Sequence, residues 1–79
     1  MGKYYPLGQY LKQSEKSSEI LTYNQIISII RKQLPPSAFR YREWWANDNS
    51  HTQAKEWLKV GWKVEHCILG KKVIFYKNK

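Results

Sequence analysis

Apolar positions recur at helical spacing along most of this chain and then switch to strict alternation. Pro6 suits a first helical turn, and Leu7, Tyr10 and Leu11 follow on one face, with Gly8 weakening that short helix. The polar, serine-rich stretch from Gln13 to Glu19 reads as a loop, and Ile20 to Tyr23 as a brief strand. Thr22-Tyr-Asn-Gln25 has the form of a capping box, with Leu21 and Ile26 standing where a hydrophobic staple requires them. A helix is predicted from there to about Gln33, burying Ile26, Ile29 and Ile30, and Pro35-Pro36 stops it. Ser37 is placed to cap a further helix through Phe39, Arg40, Tyr41, Arg42 and Trp44 to about Ala46. After the turn residues Asn47 to Ser50, a second capping-box pattern from Ser50 to Gln53 opens a helix burying Ala54, Trp57 and Leu58. Gly61 is its left-handed stop.

From Trp62 the period becomes two: Trp62, Val64, His66 and Ile68 share one face, and Lys63, Glu65 and Cys67 the other. Gly70-Lys71 turns the chain into a second strand, Lys72 to Lys77. A lone hairpin is marginal in water, so it must pack on the helices or gain a third strand, for which residues 20–22 are the candidate. The expectation is one α+β domain over residues 1–79, helices first and a C-terminal β-hairpin last. That order is winged-helix-like, with one extra helix before the wing. Tyr23–Gln33 and Ser37–Ala46 would be the helix-turn-helix pair.

Composition narrows the class. At 79 residues the core must be thin, since so short a chain buries only about 60–65% of its unfolded surface. Lone Cys67 excludes an internal disulfide, which leaves large aromatic side chains as the compensation. Fourteen Lys and Arg against six Asp and Glu give a net charge of +8, heavier in the second half of the chain. A polyanion is the natural partner, nucleic acid before membrane. No apolar run reaches a membrane span, and the first residues lack a signal-peptide core, so a soluble cytoplasmic protein is expected.

Catalysis finds little support. The six acids form no recognisable acid–base pair, and His51, His66 and Cys67 are too few and scattered for a zinc site. Asp48 and His51, beside a turn, suit helix capping. Cys67 reads as a structural thiol, and no phosphate-cradling glycine loop is present. Neither an enzyme nor a cofactor is expected.

All four tryptophans fall between Arg40 and Trp62, interleaved with Arg40, Arg42, Lys55 and Lys59. Trp57 and Trp62 read as core. Trp44 and Trp45 are neighbours about 100° apart on a helix, so one of them is left partly exposed to stack on a partner; Trp45 stands among the candidates. Ser37, Arg40 and Arg42 would reach base edges from the second helix of the pair, with an Arg fork suited to guanine. Lys71 and Lys72 at the hairpin tip, with Lys55 and Lys59 on a helical face, would neutralise phosphates.

The motifs Tyr5-Pro6-Leu7, Leu21-Thr22-Tyr23, Leu34-Pro35-Pro36-Ser37-Ala38, Trp44-Trp45-Ala46-Asn47 and Ala54…Trp57-Leu58…Gly61-Trp62-Lys63-Val64 run through nearly the whole chain. With them the sequence resembles an uncharacterised family of small bacterial and phage domains. That resemblance implies a stand-alone folding unit and supplies no activity. The expected function is nucleic-acid binding, with duplex DNA favoured. The rival is a protein-interaction adaptor or inhibitor with an exposed aromatic and basic surface.

Overall fold

A computed structural model describes residues 2–78. Helix α1 (Tyr5–Gln13) leads into strand β1 (Ser18–Thr22), which runs directly into α2 (Tyr23–Ile30). Helix α3 (Pro36–Arg40) and a 3₁₀ turn (Arg42–Trp45) follow, then α4 (Thr52–Leu58) and the hairpin strands β2 (Trp62–Ile68) and β3 (Lys72–Lys77). The sheet is antiparallel with order β1-β3-β2, so the expected third strand is present and the C-terminal strand is central. The fold is α+β. No helix among the described residues is long and apolar enough to cross a membrane.

The first capping box forms in full. The Gln25 N–H donates to Thr22 Oγ1 at 3.1 Å, and the Thr22 N–H donates to Gln25 Oε1 at 2.8 Å. Leu21 and Ile26 are both buried, as the staple requires. Helix α2 ends earlier than expected, at Arg31, which takes the left-handed conformation (φ 60°) and caps it without a glycine. Gly61, at φ 85°, is the predicted left-handed stop after α4.

Three expectations are corrected. Ser37 does not cap a ten-residue helix: Pro35 is the N-cap and Pro36 opens α3, which ends at Arg40. The Ala38 carbonyl, which a continuing helix would give to the Arg42 N–H, instead accepts from Tyr23 Oη at 2.7 Å and Trp45 Nε1 at 3.0 Å. Those tertiary bonds replace the next helical one, and the chain runs extended at Tyr41. The second capping box is also not formed. Ser50 donates through its N–H and its hydroxyl to Asp48 Oδ1, leaving His51 at the N-cap of α4, and Gln53 donates instead to the Trp44 carbonyl at 2.8 Å. Finally, β2 does not alternate throughout. A bulge moves the register from Val64 opposite Phe75 to His66 opposite Ile74. One extra residue reverses the faces beyond it, so Cys67 joins the core beside Val73, and His66 turns outward.

The core is organised by aromatic rings. Trp45 stacks on Trp57 at 6.1 Å and 17°, Trp57 meets Phe75 edge-on at 5.5 Å, and Trp44 meets Trp45 edge-on at 4.6 Å. Asn47, in the turn before α4, fastens this core to the sheet. Its Oδ1 accepts from Trp57 Nε1 (2.9 Å) and the Val64 N–H (2.8 Å), and its Nδ2 donates to the Val64 carbonyl (3.0 Å). Asn47→Ala therefore strands the indole N–H of a fully buried tryptophan and should cost about 1–3 kcal/mol. Urea titration with unchanged m-value is the check; a loss under about 0.5 kcal/mol would mean water replaces the amide.

Candidate nucleic-acid interface

Tyr23 is the residue through which the candidate surface is assembled. The capping box starts α2 at this position and turns its side chain inward, where it is 3% exposed. Its backbone N–H donates to the Lys71 carbonyl at 3.0 Å, which ties the hairpin tip to the start of α2. Its hydroxyl donates to the Ala38 carbonyl, accepts from Trp45 Nε1 at 2.9 Å, and lies 3.6 Å from Cys67 Sγ. Phe39 packs on its ring at 5.0 Å. One side chain thus draws α3, the 3₁₀ turn and the hairpin to a common centre. Burial pushes the Tyr23 hydroxyl up from its ordinary range, so it is a neutral hydrogen-bonding group at physiological pH.

Four of the residues expected at an interface lie on segments that Tyr23 ties together. Arg40 ends α3, and Arg42 opens the 3₁₀ turn. Burial raises the Cys67 thiol overall, against the opposing pull of the Tyr23 hydrogen bond and the charge of Arg42. Lys72 stands opposite Ile68, one step from Cys67, and Lys71 is in the connecting turn. Arg40, Arg42 and Lys71 are exposed, and Lys72 is half-exposed. Among the described residues Lys59 pairs with Glu56 at 3.0 Å and His51 lies 3.9 Å from Asp48, so none of the four has an acidic partner.

The other candidates lie elsewhere. Lys59 pairs with Glu56 and sits 5.4 Å over the Tyr5 ring, which commits it to the α1–α4 junction; Lys55 is exposed one turn earlier on α4. Trp45 is corrected from the interface to the core, at 2% exposure, and Trp44 is the half-buried member of the pair. Ser37 is half-buried beside a groove of about 450 Å³, lined also by Tyr41, Glu43, Trp44, His51 and Gln53.

Two surface aromatics flank the arginines, of which Tyr41 is an alternative to Arg42 on the sequence reading and Phe39 is unanticipated. Phe39 and Tyr41 are 41% and 56% exposed, alternating with the two arginines in Phe39-Arg40-Tyr41-Arg42. Read as a helix, that run sets Tyr41 in line with Trp44 and Trp45; read as alternation, it puts the two aromatics on one face and the two arginines on the other. The alternation was the available signal. Among the described residues, no cluster of three His, Cys, Asp or Glu side chains is placed to hold a metal ion.

These features define a small α+β domain with buried aromatic rings in its core and four basic residues that have no acidic partner among the described residues. The chain belongs to the family described as Domain of unknown function (DUF7662), which it matches over residues 4–79. No curated protein and no solved structure matches it.

Proposed function

We propose that the domain binds nucleic acid, with duplex DNA its favoured form, through Arg40, Arg42, Lys71 and Lys72. The observation carrying this reading is that these four cations have no acidic partner among the described residues and stand on two segments that Tyr23 ties together, with exposed Phe39 and Tyr41 next to the arginines in the chain, in a protein of net charge +8. A helical ion pair would have satisfied such groups in a surface kept only for solubility; here a polyanion satisfies them. The order α1-β1-α2, further helices and a β2–β3 hairpin, with β3 central, is winged-helix-like connectivity and makes the Gly70-Lys71 tip the wing. Helix α3 is too short to lie along a groove as a long reading helix. The arginines at its end and in the 3₁₀ turn therefore serve as the reading head, and the wing lysines hold phosphates.

Titration of labelled duplex DNA across a salt series tests this. Two phosphate contacts, from Lys71 and Lys72, give a slope of log K against log salt of about −1.8. Joint reversal of Lys71→Glu and Lys72→Glu should remove most of that slope and weaken all sequences alike. Arg40→Ala should leave the fold intact, cost about 1–3 kcal/mol of binding and relax sequence preference. Unchanged affinity in Arg40→Ala would move the reading head to Lys55 and Lys59 on α4, the helix directly before the wing. Absence of binding at low salt would overturn the proposal in favour of a protein adaptor anchored by Phe39 and Tyr41.

A further inference from the structure

The groove lined by Tyr41, Glu43 and Trp44, next along the chain to Arg40 and Arg42, has walls that phosphate binding does not explain. Tyr41 leaves more than half its surface in water, although five other aromatic side chains are buried in the core. Trp44 is held from two sides, edge-on to Tyr4 at 5.5 Å and to Trp45 at 4.6 Å. The Gln53 amide bonded to its carbonyl fixes its backbone as well. It is a rigid wall that needs no ordering when a ligand arrives. Glu43, on the same groove, is exposed and has no cationic partner among the described residues, despite its neighbour Arg42. His51 also lines the groove, and its Nδ1 is closed off from solvent without a hydrogen-bond partner. At about 450 Å³ the space falls within the range of small-ligand sites.

We infer that this groove binds a single unpaired nucleobase, guanine before the others, stacked on Tyr41 and Trp44. The inference rests on the nucleic-acid reading and extends it to a second kind of contact. The ligand must present flat apolar faces to the rings, a donor edge to the Glu43 carboxylate, and an anionic flank to Arg40 and Arg42. A nucleotide combines all three. Guanine is favoured because its N1–H and exocyclic amino group offer adjacent donors to the two carboxylate oxygens; uracil offers one N–H flanked by carbonyls that the carboxylate repels. The phosphate stays outside the groove, away from Glu43, where the arginines meet it. The same chemistry serves a free guanine nucleotide and an unpaired guanine within a strand.

Titration of the 15N-labelled full chain with GMP, UMP and inorganic phosphate, followed by amide and indole shifts, tests the assignment. GMP should move Tyr41 to Trp44, His51 and the Trp44 indole, and bind at least about fivefold tighter than UMP, whereas phosphate alone should move only the arginine neighbourhood. Tyr41→Ala should weaken GMP at least about fivefold, and Glu43→Gln should bring GMP and UMP within about twofold. Both positions are exposed, so the fold tolerates the changes. The single strands d(TTGTT) and d(TTTTT) separate the sources: tighter binding of the guanine strand than of GMP identifies a base within a strand, and equal binding identifies the free nucleotide. Shifts by GMP no different from those of phosphate, or affinities untouched by both substitutions, would overturn the groove. Duplex binding that persists in that case leaves the basic surface standing. Groove shifts without duplex binding would instead remove the duplex reading alone.

Discussion

Trp57→Ala is expected to cost about 3–5 kcal/mol and leave the domain unfolded or nearly so at 37 °C. The indole is fully buried, stacked on Trp45 and edge-on to Phe75, and its N–H is satisfied by Asn47. Truncation opens a cavity between two rings that cannot collapse, because Trp45 is itself pinned through its own N–H to Tyr23 and Ala38. A domain of 79 residues has roughly 4–12 kcal/mol of stability in total, so the loss is a large fraction of it. Thermal melting followed by circular dichroism decides the matter. A midpoint lowered by less than about 10 °C would show that the core does not depend on this ring.

Gly8→Ala provides a test of sign. Helix propensity alone says that alanine stabilises the middle of α1 by about 0.8–1 kcal/mol. The packing says the reverse: a Cβ at Gly8 would lie 2.5 Å from the Glu56 carbonyl oxygen and 3.2 Å from its carbon. Both atoms are backbone, so no side chain can rotate away, and α1 must lift off α4. Overpacking of this kind costs about 1–3 kcal/mol, enough to offset the propensity gain and leave the variant less stable. Gly8→Val, with two more methyl groups at the same contact, should be worse still. An alanine variant that melts above the parent would mean the α1–α4 contact opens without loss.

The sequence made the local elements legible wherever one short stretch contains its own instruction. The Thr22–Gln25 box names α2 because donor and acceptor lie three residues apart, and Gly61 names the end of α4 because only a left-handed residue fits there. Strand β3 followed from period and turn chemistry, whereas β1 was legible only in part: it takes in Ser18 and Glu19, which read as loop, and leaves Tyr23 to α2. The basic residues around the hairpin tip were identifiable one by one, but their grouping was not. The link between them is Tyr23, whose backbone reaches Lys71 while its hydroxyl reaches Ala38, and periodicity carries no information about either bond. The error that mattered for the site, Trp45 placed at the interface, shares that origin. It assumed that the helix starting at α3 continues.

By itself, then, the sequence determined the order of elements, the α+β class, the capping of α2, the aromatic character of the core and the strong positive charge, because each depends on neighbours in the chain or on composition alone. Tertiary structure decided where α3 stops, which tryptophan faces solvent, which face of β2 carries Cys67 and why Gly8 is a glycine. Each of these turns on a bond or contact between distant segments: Trp45 and Tyr23 claiming the Ala38 carbonyl, Asn47 holding Val64 next to the bulge, Glu56 lying against α1. A hydrogen bond that satisfies a buried carbonyl is worth as much as the helical bond it replaces, so local propensity cannot decide between them.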